Sequence, residues 1–139
     1  METPIESTLE PGLSEALAAA ARAAAANAYA PYSRFQVGAA VLDDRGRIFS
    51  GCNVENASFG LTVCAERNAV AAAVAAGSRH LRAVLIHTPT AELTPPCGAC
   101  RQVLTEFNPL MEVHLVNGEG QRAVYRLDRL LPGAFKFEV

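Results

Sequence analysis

Two short segments concentrate the chemistry of this chain: Cys64-Ala65-Glu66 and Pro96-Cys97-Gly98-Ala99-Cys100. Together they supply three thiols and one carboxylate. Three cysteine sulfurs can hold a zinc ion and leave its fourth position for water. A glutamate two residues from a ligand can move protons to and from that water. Three thiolates and Zn²⁺ sum to −1, which is electron-rich for a metal that must acidify water. Arg67 and Arg101 each follow one of the segments. Either could donate hydrogen bonds to the ligand sulfurs and withdraw charge, and Arg67 is the first choice.

Both segments fall at expected helix starts. Backbone N–H groups are unpaired there and the helix dipole is positive, so thiolate is favoured over thiol. The flanking pattern supplies the rest of the frame. Residues 14–28 read as a helix, alanine-rich and capped by Ser14, and closed ahead of Pro31. Residues 35–42 and 47–53 read as strands of a hairpin around the Asp43–Gly46 turn. The polar, non-repetitive stretch 54–62 reads as a ligand loop. A second helix is expected over 63–76, with Gly77 as its stop, and a buried strand over 82–88. A third helix over 98–107 precedes strands at 112–116 and 122–125 and a last helical turn at 127–131. The order predicts an α/β fold with a mixed sheet of five strands and helices on its faces. The domain spans 13–139, after a flexible lead-in over 1–12.

With 139 residues, half of them hydrophobic, the chain suits one globular domain. A net charge of −2 argues against nucleic acid as partner. No apolar run spans a membrane, and the N-terminus lacks signal-peptide character, so the expected location is cytoplasmic. That setting disfavours a disulfide scaffold. A closed structural zinc site would have to recruit Cys52, and it leaves Glu66 unexplained. A redox role for Cys97 and Cys100 alone leaves Cys64 and Glu66 idle. Cys52 reads as a small buried hydrophobe, and His80, His87 and His114 are set aside as structural.

The two segments match the pattern of zinc nucleobase deaminases in its three-cysteine form. More specifically, the chain resembles the cytidine deaminase family, of the small homotetrameric kind. The resemblance is carried by residues 29–40 (YAPYSRFQVGAA), 51–57 (GCNVENA), 64–67 (CAER), 96–102 (PCGACRQ) and 131–135 (LPGAF). It implies a three-layer α/β/α fold and hydrolytic deamination of cytidine and 2′-deoxycytidine in pyrimidine salvage. It implies one zinc per subunit on Cys64, Cys97 and Cys100, with Glu66 as proton shuttle. Asn53 and Glu55 would hold the sugar 3′-hydroxyl, and Phe35 would pack on the pyrimidine. The backbone of Ala65 and Cys97 would face the base. Phe59 stands where relatives often carry tyrosine, so a packing role transfers and a hydroxyl contact does not. Phe135 would reach a neighbouring subunit's pocket. Two rivals are a deaminase of another aminopyrimidine nucleoside and an RNA-binding protein on the same platform. The lack of an aromatic-basic patch speaks against the second.

Overall fold

The computed structural model describes residues 3–139; the readings that touch Met1 and Glu2 lie outside it. Among the described residues, five strands form one sheet in the order β2-β1-β3-β4-β5. They are β1 (Gly38–Asp43), β2 (Ile48–Cys52), β3 (Leu81–His87), β4 (Glu112–Val116) and β5 (Arg122–Arg126). β3 and β4 are parallel and the other pairs antiparallel. Helix α1 (Pro11–Ala25) covers one face; α2 (Ala65–Ala75) and α3 (Gly98–Phe107) cover the other. A single turn, α4 (Leu127–Leu130), follows β5.

Strand alternation sorts the core into two layers. Ala40, Leu42, Ala83 and Leu85 pack with Leu17 and Ala21 of α1. Ala39, Val41, Val84, Ile86, Val113 and Leu115 pack with Ala65, Ala69 and Leu104 of α2 and α3. Two glycines let the helices lie directly on the sheet. A Cβ on Gly38 would stand 1.8 Å from Ala21 O, and one on Gly51 2.5 Å from Ala69 N. The expected mixed α/β architecture is therefore present.

Register explains how the two cysteine segments meet. Gly38 pairs with Cys52 on one side and His87 on the other. The chain thus leaves β2 and β3 at the same end of the sheet. From there one path runs to the start of α2 and the other to the start of α3.

Several boundaries differ from expectation. α1 begins at Pro11, with Glu10 as its extended cap residue, and Ser14 lies inside the helix. Proline's fixed φ and missing N–H suit the first helical position better than a serine cap suits the fourth. The helix stops at Ala25 because Tyr29 is drawn to the β2 side: its N–H donates to Asn53 O at 3.0 Å, and its carbonyl accepts from Glu55 N at 2.8 Å. Phe35 and Val37 precede β1, since the Asn53 side chain takes the place of a strand partner. Asn53 Nδ2 donates to Phe35 O at 2.7 Å, and Val37 N donates to Asn53 Oδ1 at 2.9 Å. The expected flexible lead-in is, over its described part, tied down. Ile5 N donates to Val124 O at 2.7 Å, and Ser7 and Thr8 hydroxyls both donate to Glu112 at 2.6 Å. This segment shields the polar Glu112–His114 stretch of β4, which sequence patterning does not reveal.

Candidate active site

Cys64 and Cys97 are the cap residues of α2 and α3, and Cys100 sits in the first turn of α3. Their Sγ atoms all lie within 4.8 Å of one another. The Cys64 thiol is pushed down to about 5, first by a hydrogen bond from the Cys100 thiol, then by Arg67, against the cost of burial. Cys100 is shifted upward, because its proton is the one held by Cys64 and because it is buried. Three sulfurs in one place cannot all ionise without a cation between them. This donor set therefore fits zinc: three soft ligands close enough to share one ion, on rigid helix starts. No fourth His, Cys, Asp or Glu joins them among the described residues, which leaves the open corner that chemistry needs. Cys52, half-buried on β2, is not among them.

Of the two arginines, only Arg67 turns to the sulfurs. Its Nη2 is 3.6 Å from Cys64 Sγ and 3.4 Å from Thr62 O, and its Nε–H is buried with no partner. Arg101 goes elsewhere: Nε donates to Pro96 O at 2.8 Å and Nη1 to Leu130 O at 2.7 Å. It thereby braces the backbone before Cys97 against the end of α4.

Glu66, on the first turn of α2, is 5 % exposed. Burial raises its proton affinity, and the neighbouring Cys64 charge adds to that. Its own backbone N–H opposes the rise without cancelling it. A carboxyl so placed is poised both to take up and to release a proton.

A cavity of about 200 Å³ opens over these groups, lined by Phe35, Asn53, Cys64, Ala65, Glu66 and Cys97 together with residues from β3 and the 88–96 loop. It collects six of the expected site residues. Glu55 lies next door, in a cavity shared with Tyr32, Ser33, Phe59 and Thr62; Thr62 lines both. Tyr32 N and Ser33 N donate to Glu55 Oε1 at 2.9 and 3.1 Å, and the Ser33 hydroxyl donates to Oε2. These bonds, the hydroxyl foremost, hold Glu55 below the usual carboxylate range. Phe59 and Phe135 line no part of the Glu66 cavity and are 75 % and 73 % exposed. Gln102 Nε2 holds the Phe135 carbonyl at 3.1 Å.

Thr62, at the end of the expected ligand loop, also lines the Glu66 cavity, whereas sequence reasoning missed Val37, Ile86, Thr88, Thr94 and Pro95. Thr88, Thr90 and Thr94 form a chain of hydroxyl contacts at 3.0 and 3.2 Å. Threonines at the end of β3 and in a loop carry no spacing signal of their own.

Residues 12–116 match the family model described as the cytidine and deoxycytidylate deaminase zinc-binding region. A cytidine deaminase of Halalkalibacterium halodurans is 49 % identical over 112 residues, covering 80 % of this chain and 85 % of that protein. One from Sporosarcina psychrophila is 46 % identical over 125 residues, covering 89 % of this chain and 92 % of that protein. The crystal structure of cytidine deaminase from Burkholderia pseudomallei superposes with a TM-score of 0.84 at 50 % identity, covering 87 % of this chain and 98 % of that one. With a zinc-fitting cysteine cluster, a buried acid beside it and this likeness over most of its length, the chain belongs to the cytidine and deoxycytidylate deaminase zinc-binding family.

Proposed function

We propose that this protein deaminates cytidine and 2′-deoxycytidine hydrolytically, giving the uridine products and ammonia. One observation carries the reading: a buried carboxyl of raised proton affinity, Glu66, shares a cavity wall with Cys64 and Cys97 of the sulfur cluster. Zinc held by Cys64, Cys97 and Cys100 would supply Lewis acidity, which makes water a nucleophile at neutral pH. Glu66 would take the proton of the attacking water and deliver it to N3 of the base, which makes C4 electrophilic. It would then take the second water proton from the hydroxyl newly bonded to C4 and pass it to the amino nitrogen, so that C4 keeps its oxygen as a carbonyl and ammonia leaves.

The walls sort the substrate. Phe35 would pack on the pyrimidine, and the backbone of Ala65 and Cys97 would meet its polar edge. Asn53 retains a second amide N–H and an acceptor site after its bonds to Phe35 and Val37. Together with Glu55 it would hold the sugar hydroxyl. Arg67 would temper the charge of the sulfurs. The exposed Phe59 and Phe135 suit burial against another copy of this chain, in a homotetramer whose sites are shared between subunits. No helix of the described residues is long and apolar enough to cross a membrane. The proposed setting is cytoplasmic pyrimidine salvage.

The test is ammonia release from cytidine measured beside metal content. Activity should track zinc at one ion per subunit and vanish on chelation. Full turnover by metal-free protein would overturn the reading.

A further inference from the structure

The Pro31–Phe35 turn holds the half-buried Glu55 more tightly than a surface glutamate needs for solubility. Ser33 Oγ accepts from Phe35 N at 3.0 Å and lies against Glu55 Oε2. A hydroxyl has one proton, and an amide N–H can only donate. The serine proton must therefore go to Glu55, while its lone pair serves Phe35. With the Tyr32 and Ser33 amides on Oε1, three donors occupy a carboxylate that offers about four acceptor sites. The remaining site, on Oε2, wants one more donor.

The backbone is bent to make this possible. Arg34 has φ of 60°, a left-handed conformation that no other non-glycine residue adopts among the described residues. Its N–H donates to Ala30 O at 2.9 Å, closing the turn. Such a conformation is costly for a residue with a side chain and persists where its surroundings enforce it. Here it aims two amides and one hydroxyl at a single carboxylate. Ser33 lines the Glu55 cavity, and its hydroxyl accepts from the backbone of Phe35, which lines the other.

We propose that Ser33 is a positioning residue for nucleoside recognition, its hydroxyl locking Glu55 and Phe35 into one unit that selects substrates with a free sugar 3′-hydroxyl. The proposal rests on the reading that Glu55 receives that hydroxyl. The sugar hydroxyl would fill the last acceptor site on Oε2, and the base ring would lie on the aromatic that the same serine anchors. Losing the serine proton would free Glu55 to swing into solvent, with little change in the chemistry at Glu66.

Steady-state kinetics on cytidine and on 3′-deoxycytidine separate the possibilities. Ser33→Ala should lower kcat/KM for cytidine about tenfold, mainly through KM, and change that for 3′-deoxycytidine by less than about twofold. Ser33→Thr, which keeps the hydroxyl, should restore most of the loss. Equal losses on both nucleosides, or no loss on either, would overturn the proposal. Glu55→Ala is the control. If it abolishes discrimination between the two nucleosides while Ser33→Ala leaves it whole, only the role of Ser33 falls. If Glu55→Ala leaves discrimination intact, the sugar-binding role of Glu55 falls and takes Ser33 with it.

Discussion

Glu66 and Asp43 are both buried carboxylates, and their surroundings are opposite. Asp43, at the end of β1, is fully buried and accepts from Arg45 N at 3.0 Å, Arg47 N and Nε at 2.8 Å each, and the Ser78 hydroxyl at 2.6 Å. Burial alone would raise its pKa, but the Ser78 hydroxyl and Arg47 outweigh it and keep the group ionised. Glu112, 7 % exposed, is treated the same way by Ser7, Thr8 and His114. Its pKa is held at about 2, the donors overcoming its desolvation. Glu66 has neither a guanidinium nor a hydroxyl on it, and its proton affinity rises. A saturated carboxylate is a fastener; an under-satisfied one is a reagent.

The largest expected effect breaks this contrast at the reagent. Glu66→Gln should cut ammonia release by about 10³- to 10⁴-fold while zinc stays bound. Its urea midpoint should equal or exceed the parent's, since a desolvated charge is removed. Near-parent turnover would discard Glu66 as the shuttle. At the fastener the pattern reverses. Asp43→Ala should lower stability by about 3 kcal/mol, because Arg47 and Ser78 lose their acceptor at the junction of β1 and α2. Its kcat/KM, measured where it remains folded, should be close to the parent's.

Arg67→Gln sharpens the comparison on the sulfur side. It should weaken metal retention by about 10- to 100-fold in a chelator competition and shift the pH-rate profile. Unchanged values for both would reduce Arg67 to a packing residue. The smallest effect concerns pH. The folded pKa of Glu112 lies near 2, below the ordinary 4.5, so its contribution is whole above pH 4.5 and is lost as pH falls toward 2. Glu112→Gln should flatten that acid limb, by on the order of 2 kcal/mol, in urea titrations between pH 5 and about 2.5. An unaltered limb would mean that Ser7 and Thr8 do not hold the N-terminal segment through this carboxylate.

Much of the site is local and therefore legible in the sequence. Cys64 and Glu66 share one helical turn, as Cys97 and Cys100 share another, and such spacings survive any global arrangement. Apolar runs mark β1 and β3, where burial on both faces leaves few polar positions, whereas the edge strands β2 and β5 are only half-buried and carry polar residues. Arg67 and Arg101 are indistinguishable in sequence, each beside a cysteine. Where a guanidinium goes depends on which carbonyls come near it, and Leu130 comes near Arg101 only after α4 docks on α3. The same reason hides the Glu112 latch, whose donors lie 104 and 105 positions away along the chain.

The sequence by itself thus determined the ligand types, the acid and the alternation of elements, since these depend on neighbours along the chain. The tertiary structure decided that the three sulfurs converge, which arginine faces them, and that Asn53 and Glu55 stand in adjoining cavities. The meeting of the two cysteine segments follows from β3 pairing with β1, a long-range register that no local spacing encodes, whereas the β1–β2 hairpin is local and legible in the turn between them.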